Sequence, residues 1–189
     1  MKSFLTSIVF LISVLTVNAQ LNKGNTLISI NAGANYSGSS KNNQMLLYLS
    51  PGVMKVIGNN FAAGIDFNYQ LFSKEEEIIP SAGQTSRDIS ETFEIGAVAK
   101  KYFSDSRFKP YAELGSGYQI SNYKRYREGL FINEILTRDI YLRPVVGASY
   151  WLNEFISLDA NVSYTLILYN YDPFYFKNLK FRLGFTMRF

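Results

Sequence analysis

From position 179 to position 189, apolar and polar side chains alternate without a break. Leu179, Phe181, Leu183, Phe185, Met187 and Phe189 fall on one parity, and Lys180, Arg182, Gly184, Thr186 and Arg188 on the other. A repeat of two is the repeat of a β-strand, whose successive side chains point to opposite faces. The same alternation predicts seven earlier strands, at residues 27–37, 45–57, 61–71, 91–103, 108–121, 137–152 and 155–170, before the last at 178–189. The third is typical, with Phe61, Ala63, Ile65, Phe67 and Tyr69 on one face and Ala62, Gly64, Asp66, Asn68 and Gln70 on the other. Pro51 in the second cannot donate to a ladder and predicts a bulge.

One alternating strand admits two opposite structures. In a soluble sandwich the apolar face is the core; in a transmembrane barrel it meets lipid and the polar face lines the lumen. The connections decide for the barrel. They are short after the second, fourth and sixth strands and long after the first, third, fifth and seventh, covering residues 38–44, 72–90, 122–136 and 171–177. Barrels of this kind have short turns on one side and long loops on the other, with an even strand count. The outward aromatics form two groups. Phe61, Phe103, Phe108, Tyr150 and Phe189 fall at the turn end, and Tyr36, Tyr69, Phe93, Tyr118 and Tyr164 toward the loop end. Amphipathic rings suit the two membrane interfaces. Lys55 and Lys101 interrupt the apolar face near the turn end, where a long stem can snorkel to head groups.

The N-terminus adds a compartment. Lys2 precedes an apolar run over residues 4–17, and Val17, Asn18 and Ala19 fit a cleavage site after Ala19. The run is shorter than the roughly 20 residues of a spanning helix, so residues 1–19 are expected to be a signal peptide rather than an anchor. Residues 20–189 then form one domain. The chain has no Cys and no His, so it offers no disulfide framework and no thiolate or imidazole metal site. A formal net charge of +4 is too small to suggest nucleic acid. No cofactor is expected.

The ending at Phe181, Leu183, Phe185, Met187 and Phe189, the sequence Ser50, Pro51, Gly52, Val53, the signal segment and the eight-strand rhythm together resemble the small outer-membrane β-barrels. That family includes OmpX and the membrane domain of OmpA. The resemblance covers the whole chain after the signal. It implies an all-β, eight-stranded antiparallel up-and-down barrel in the outer membrane of a Gram-negative cell. It also implies insertion by the barrel-assembly machinery, which reads the alternate apolar residues of the last strand, and a monomer with structural, adhesive or surface-interaction roles. Enzymes of this architecture lean on a histidine, which this chain lacks, so no catalytic site is expected.

The predicted lumen carries Asp66, Glu94, Glu113 and Asp159 against Lys100, Lys109, Arg143, Lys180, Arg182 and Arg188. Eight strands enclose a space that side chains can fill. Unpaired buried charge is costly, so these groups are expected to form an ion-pair network that packs the interior. Inward glycines, among them Gly96, Gly115 and Gly147, are expected to make room for the long cations, Tyr111 and Tyr141. A narrow small-solute channel is the alternative, and a soluble lipocalin-like periplasmic binder the third reading. Beyond the membrane, Lys124, Arg125 and Arg127 form a basic run facing Glu75, Glu76 and Glu77. They are either candidates for lipopolysaccharide phosphates or, the more ordinary reading, a solvated extension of the strand with weak surface ion pairs. Residues 169–176 hold five aromatics and are expected to cap the barrel. The triplets at Asn35 and Asn161 match a glycosylation pattern but lie inside predicted strands, where chance matches suffice.

Overall fold

The computed structural model describes residues 21–39, 42–79, 84–168 and 179–189. The expected signal segment and the aromatic stretch 169–176 lie outside these residues. All regular structure among the described residues is strand: β1 (Thr26–Ser39), β2 (Asn42–Gly58), β3 (Phe61–Ile79), β4 (Gln84–Tyr102), β5 (Phe108–Arg127), β6 (Leu130–Trp151), β7 (Ile156–Tyr164), β8 (Leu166–Ile167) and β9 (Leu179–Arg188). Every pairing is antiparallel. β1 to β6 pair in sequence, β6 pairs β7, β7 pairs β9 and β9 pairs β1, so the sheet closes on itself. β8 is a short continuation of β7 past a break at Thr165 and, among the described residues, pairs with β6. The result is an eight-membered ring.

The seam runs from Leu27 against Arg188 to Ala32 against Leu183. Below it, Thr26 and Phe189 exchange backbone hydrogen bonds of 2.8 and 2.9 Å. Registers also set the stagger. From Ala32 one row passes through Leu49 and Tyr69 to Phe93 on β4. The other way it passes through Leu183, Ala160, Ala148 and Pro110, whose carbonyl accepts from Phe103, also on β4. The two arrivals differ by ten residues, and eight strands with that stagger tilt by roughly 40° to the barrel axis.

The strands outgrow the sequence expectation. Residues 72–79 with 84–90, and 122–127 with 130–136, were expected to be loops; they continue the ladders as two hairpins. Their alternation is hidden because both faces stand in water, so polar residues occupy both parities, as in Ser73, Lys74, Glu75 and Glu76. Glu128 and Gly129 turn the second hairpin with φ of 51° and 76°. That left-handed pair matches the twist of the flanking strands. β3 to β6 therefore form a tall wall.

Facing follows the alternation. Leu183, Phe181, Val146 and Phe93 are among the large apolar side chains that point outward and are exposed, while Ser29, Asp66, Glu94, Arg143 and Asp159 are buried inside. The interior is not polar throughout, however. At the turn end, inward Leu27, Met54, Val56, Tyr102, Tyr111 and Trp151 make an apolar cluster. Leu21, from the chain before β1, joins it from below. That segment is held by Gly24 N–H donating to Val56 O and Val56 N–H to Asn25 O, both 2.8 Å.

Leu183 is 71% exposed and its neighbour Arg182 4%. Leu183→Arg is expected to cost about 2–4 kcal/mol where the position faces the bilayer midplane. Arg182→Leu should cost less, as it removes a cation held by one long contact. Equilibrium unfolding in lipid vesicles checks the ranking; the reverse order would mean that the faces are inverted.

Candidate functional site

Above the apolar cluster the lumen is a web of charges drawn from opposite walls. Arg143 on β6 lies at its centre, fully buried. Its Nη1 donates to Glu94 Oε2 on β4 at 2.7 Å, and its Nη2 to the Asp66 carboxylate on β3. Lys180 on β9 places Nζ 3.7 Å from the other oxygen of Glu94. Lys100 pairs with Glu113 at 3.0 Å and lies against the Tyr111 ring, 4.1 Å from its centroid. Asp159 accepts from Thr186 and Ser157. Arg182 donates to Ser50 Oγ at 3.3 Å, and Ser50 donates to Asn68 at 2.7 Å. Two of the predicted lumen cations sit lower. Lys109 donates to the Ser104 carbonyl at 2.9 Å, and Arg188 lies over the Trp151 ring.

These contacts act as struts. Arg143 ties β6 to β3 and β4, and Lys180 ties β9 to β4, pairs of strands that are not neighbours in the ring. Three glycines leave the space they need. A Cβ at Gly115 would lie 3.2 Å from Arg143 Nη2, one at Gly96 would run into the Tyr141 hydroxyl, and one at Gly147 would meet the Tyr111 ring. An enclosed cavity of about 10 Å³ lies among Ser29, Ser50, Asp66, Glu113 and Arg182. That is room for about one water molecule, not for a passing solute.

The basic run on β5 does not form one patch, because neighbours on a strand face opposite ways. Lys124 points outward, 3.8 Å from Glu134. Arg125 points to the inner face, where it donates to both oxygens of Asp88 at 3.0 and 3.4 Å and to Tyr123 Oη at 2.7 Å. Burial works against ionisation of Asp88, but the hydrogen bonds from Arg125 and Tyr123 prevail and hold its carboxyl below the usual range. The pair's small contribution is thus present at neutral pH and lost as pH falls through that lowered value. Arg127 is exposed beside the hairpin turn. Of the acidic stretch, Glu76 pairs with Lys74 at 2.6 Å, and Glu75 stands opposite Arg87.

Of the last-strand residues, Phe181, Leu183, Phe185 and Phe189 are exposed on the outer face, and Met187 is half-buried beside them. Sequence reasoning passed over Arg138, which points outward where β6 is otherwise apolar. Its signal was plain: Leu136, Arg138, Ile140 and Leu142 share one parity.

No family model matches the chain, and no curated protein matches it. Solved structures do. The outer membrane protein OprG of Pseudomonas aeruginosa matches with a TM-score of 0.56 at 13% identity, over 91% of this chain and 99% of that one. The N-terminal β-barrel domain of OprF from the same organism matches at 0.50 and 13% identity, over 89% and 100%. Ail, the attachment invasion locus protein of Yersinia pestis, matches at 0.50 and 15% identity, again over 89% and 100%. The fold is that of the small outer-membrane β-barrels. Seen as such a barrel, the exposed apolar face is a lipid-facing belt, and the struts are what holds the wall around a filled lumen.

Removing Arg143 leaves Asp66 buried without its cation and Glu94 with only the longer Lys180 contact. Arg143→Met should cost about 3–5 kcal/mol, and a variant that also neutralises both carboxylates should recover part of the loss. Urea unfolding in vesicles measures both; a single-variant loss under about 1 kcal/mol contradicts the strut assignment. In planar bilayers the purified barrel should give no large steady conductance, since Trp151, Tyr102 and Arg143 fill its cross-section. A persistent open pore would contradict that packing.

Proposed function

We propose that the chain is a surface-interaction barrel of the outer membrane, whose tall β3–β6 wall meets a partner outside the cell. The observation that carries this is the height of that wall: β5 and β6 pair from Phe108 and Tyr150 out to Arg127 and Leu130, well beyond the roughly 9–11 residues with which a strand crosses a bilayer. Toward the hairpin tip Leu130, Phe131, Ile132, Ile135 and Leu136 are exposed. Exposed apolar side chains clustered beyond the membrane offer a partner grip. The hairpin stands beyond the length that a bilayer covers, where a protein outside the cell can reach it.

Insertion by the barrel-assembly machinery through Phe181, Leu183, Phe185, Met187 and Phe189, and a monomeric barrel, belong to the same reading. The filled lumen supports a structural interior rather than transport. The absence of His and Cys from the sequence supports a role without catalysis.

Shortening the β5–β6 hairpin tests the proposal. Asn122 and Leu136 are paired, so a tight Asn-Gly turn can join them in place of residues 123–135. Cells displaying the shortened barrel should lose adherence to immobilised extracellular-matrix proteins, while the heat-modifiable folded form persists in the outer membrane. Equal adherence by the two proteins sinks the idea.

A further inference from the structure

Arg138 interrupts the apolar outer face of β6, between exposed Leu136 and Ile140. Among the described residues no side chain pairs with it. It also ends a continuous outward row. Arg138 is opposite Ile120, Ile120 opposite Phe93, Phe93 opposite Tyr69 and Tyr69 opposite Leu49.

The tilt of the strands makes that row a slope. Arg138 is thirteen residues up β6 from Trp151, whereas Leu49 is nine residues up β2 from Gly58. A spanning strand uses about 9–11 residues, so Arg138 stands just past the hydrocarbon, at the head groups, while the Leu49 end lies within it. Along the slope runs an outward groove of about 340 Å³, lined by Leu49, Phe67, Tyr69, Phe93, Tyr118 and Ile120. The Tyr69 and Phe93 rings brace it, 4.8 Å apart.

The neighbouring outward charges are already engaged. Glu91 accepts from the Tyr69 hydroxyl at 3.3 Å, and Glu134 is held by Asn122 and Lys124. Both carboxylates lie farther out along their strands than the row itself. Arg138 is the uncommitted cation at the groove's upper end.

We propose that Arg138 and this groove bind a phosphorylated, acylated lipid of the outer leaflet, phosphate on the guanidinium and acyl chain against Phe93, Tyr69 and Leu49. A guanidinium presents parallel donors that match two phosphate oxygens, and it is weakly hydrated, as suits the edge of a bilayer. The groove runs downward from the cation, as a head group with its chain beneath it requires. This site rests on the membrane reading above and is independent of the role proposed for the β5–β6 hairpin tip.

The full barrel, refolded into phosphatidylcholine vesicles containing a minority of phosphatidic acid and extracted into neutral detergent, tests it by native mass spectrometry. The wild type should retain one phosphatidic acid molecule in preference to phosphatidylcholine. Arg138→Gln should reduce that retention by about fivefold, the worth of one cation near a lipid surface. Leu49→Trp should reduce it with the cation intact by filling the lower groove, and Lys124→Gln should leave it unchanged. Equal retention of the two lipids, or equal retention by Arg138→Gln and wild type, overturns the site. Inorganic phosphate displacing the lipid at equal concentration would assign Arg138 to a free anion and overturn the lipid claim. Heat-modifiable mobility separates the two levels. A folded barrel without selective retention sinks the lipid site alone, and a wild type that never folds in vesicles sinks the membrane reading with it.

Discussion

The closing of the ring governs everything else in this molecule. In hydrocarbon no water can satisfy a backbone N–H or C=O, so a sheet that crosses it can have no open edge there. β1 and β9 meet that demand with the seam from Leu27 and Arg188 to Ala32 and Leu183. The stagger of ten residues follows from closing eight strands in this register, and the tilt follows from the stagger. From the tilt comes the slope of every row of neighbours.

Closure also fixes the interior. Eight strands leave a space only a few side chains wide, and the chain fills it in two ways. At the turn end it uses ordinary apolar packing of Leu27, Met54, Val56, Tyr102 and Trp151, closed from below by Leu21. Above that it uses ions. Arg143 can hold two carboxylates because they come from adjacent strands, and Gly115 opposite it has no side chain to contest the space. Desolvation works against each of these charges, and mutual pairing offsets it only while the set is complete. A web of this kind specifies register: slipping one strand by a residue would turn its charges out to the lipid.

How much of this was legible depended on what surrounds each residue. Where one face meets lipid and the other the lumen, alternation is unambiguous, and Asp66 against Ile65 or Arg182 against Leu183 could be assigned from their order alone. Where both faces meet water, as at Ser73 to Glu76, the alternation disappears and strand reads as loop. The apolar cluster was obscured for the opposite reason, since around Met54 and Val56 the inward parity is apolar while the outward one carries Lys55, so a greasy inward face cannot be told from an outward one. Lys124 and Arg125 looked like one patch because sequence adjacency was taken for spatial adjacency, which a strand denies. Pairings such as Arg143 with Asp66, three strands away, have no local signature. They could be foreseen as a class, from the cost of unpaired charge, but not as partners.

The inverted arrangement separates two questions that coincide in a soluble protein. There, the apolar face both drives folding and holds the fold, because water surrounds it. Here the outward Phe181, Leu183 and Phe93 meet hydrocarbon, and packing them against lipid rather than protein changes little, since lipid tails are as apolar as they are. These side chains determine where the barrel sits: at what depth, and which residues, such as Arg138, come level with the head groups. Cohesion has to come from the ladder hydrogen bonds and from the lumen. The lumen residues are therefore the ones whose geometry is tightly bound to the fold, with Arg143, Lys100 and Trp151 among the most deeply buried side chains of the described residues. A role exercised at the outside of the cell is free of both constraints. It can reside on the part of the wall that neither spans the membrane nor packs the interior, and the outer stretch of the β5–β6 hairpin is such a part.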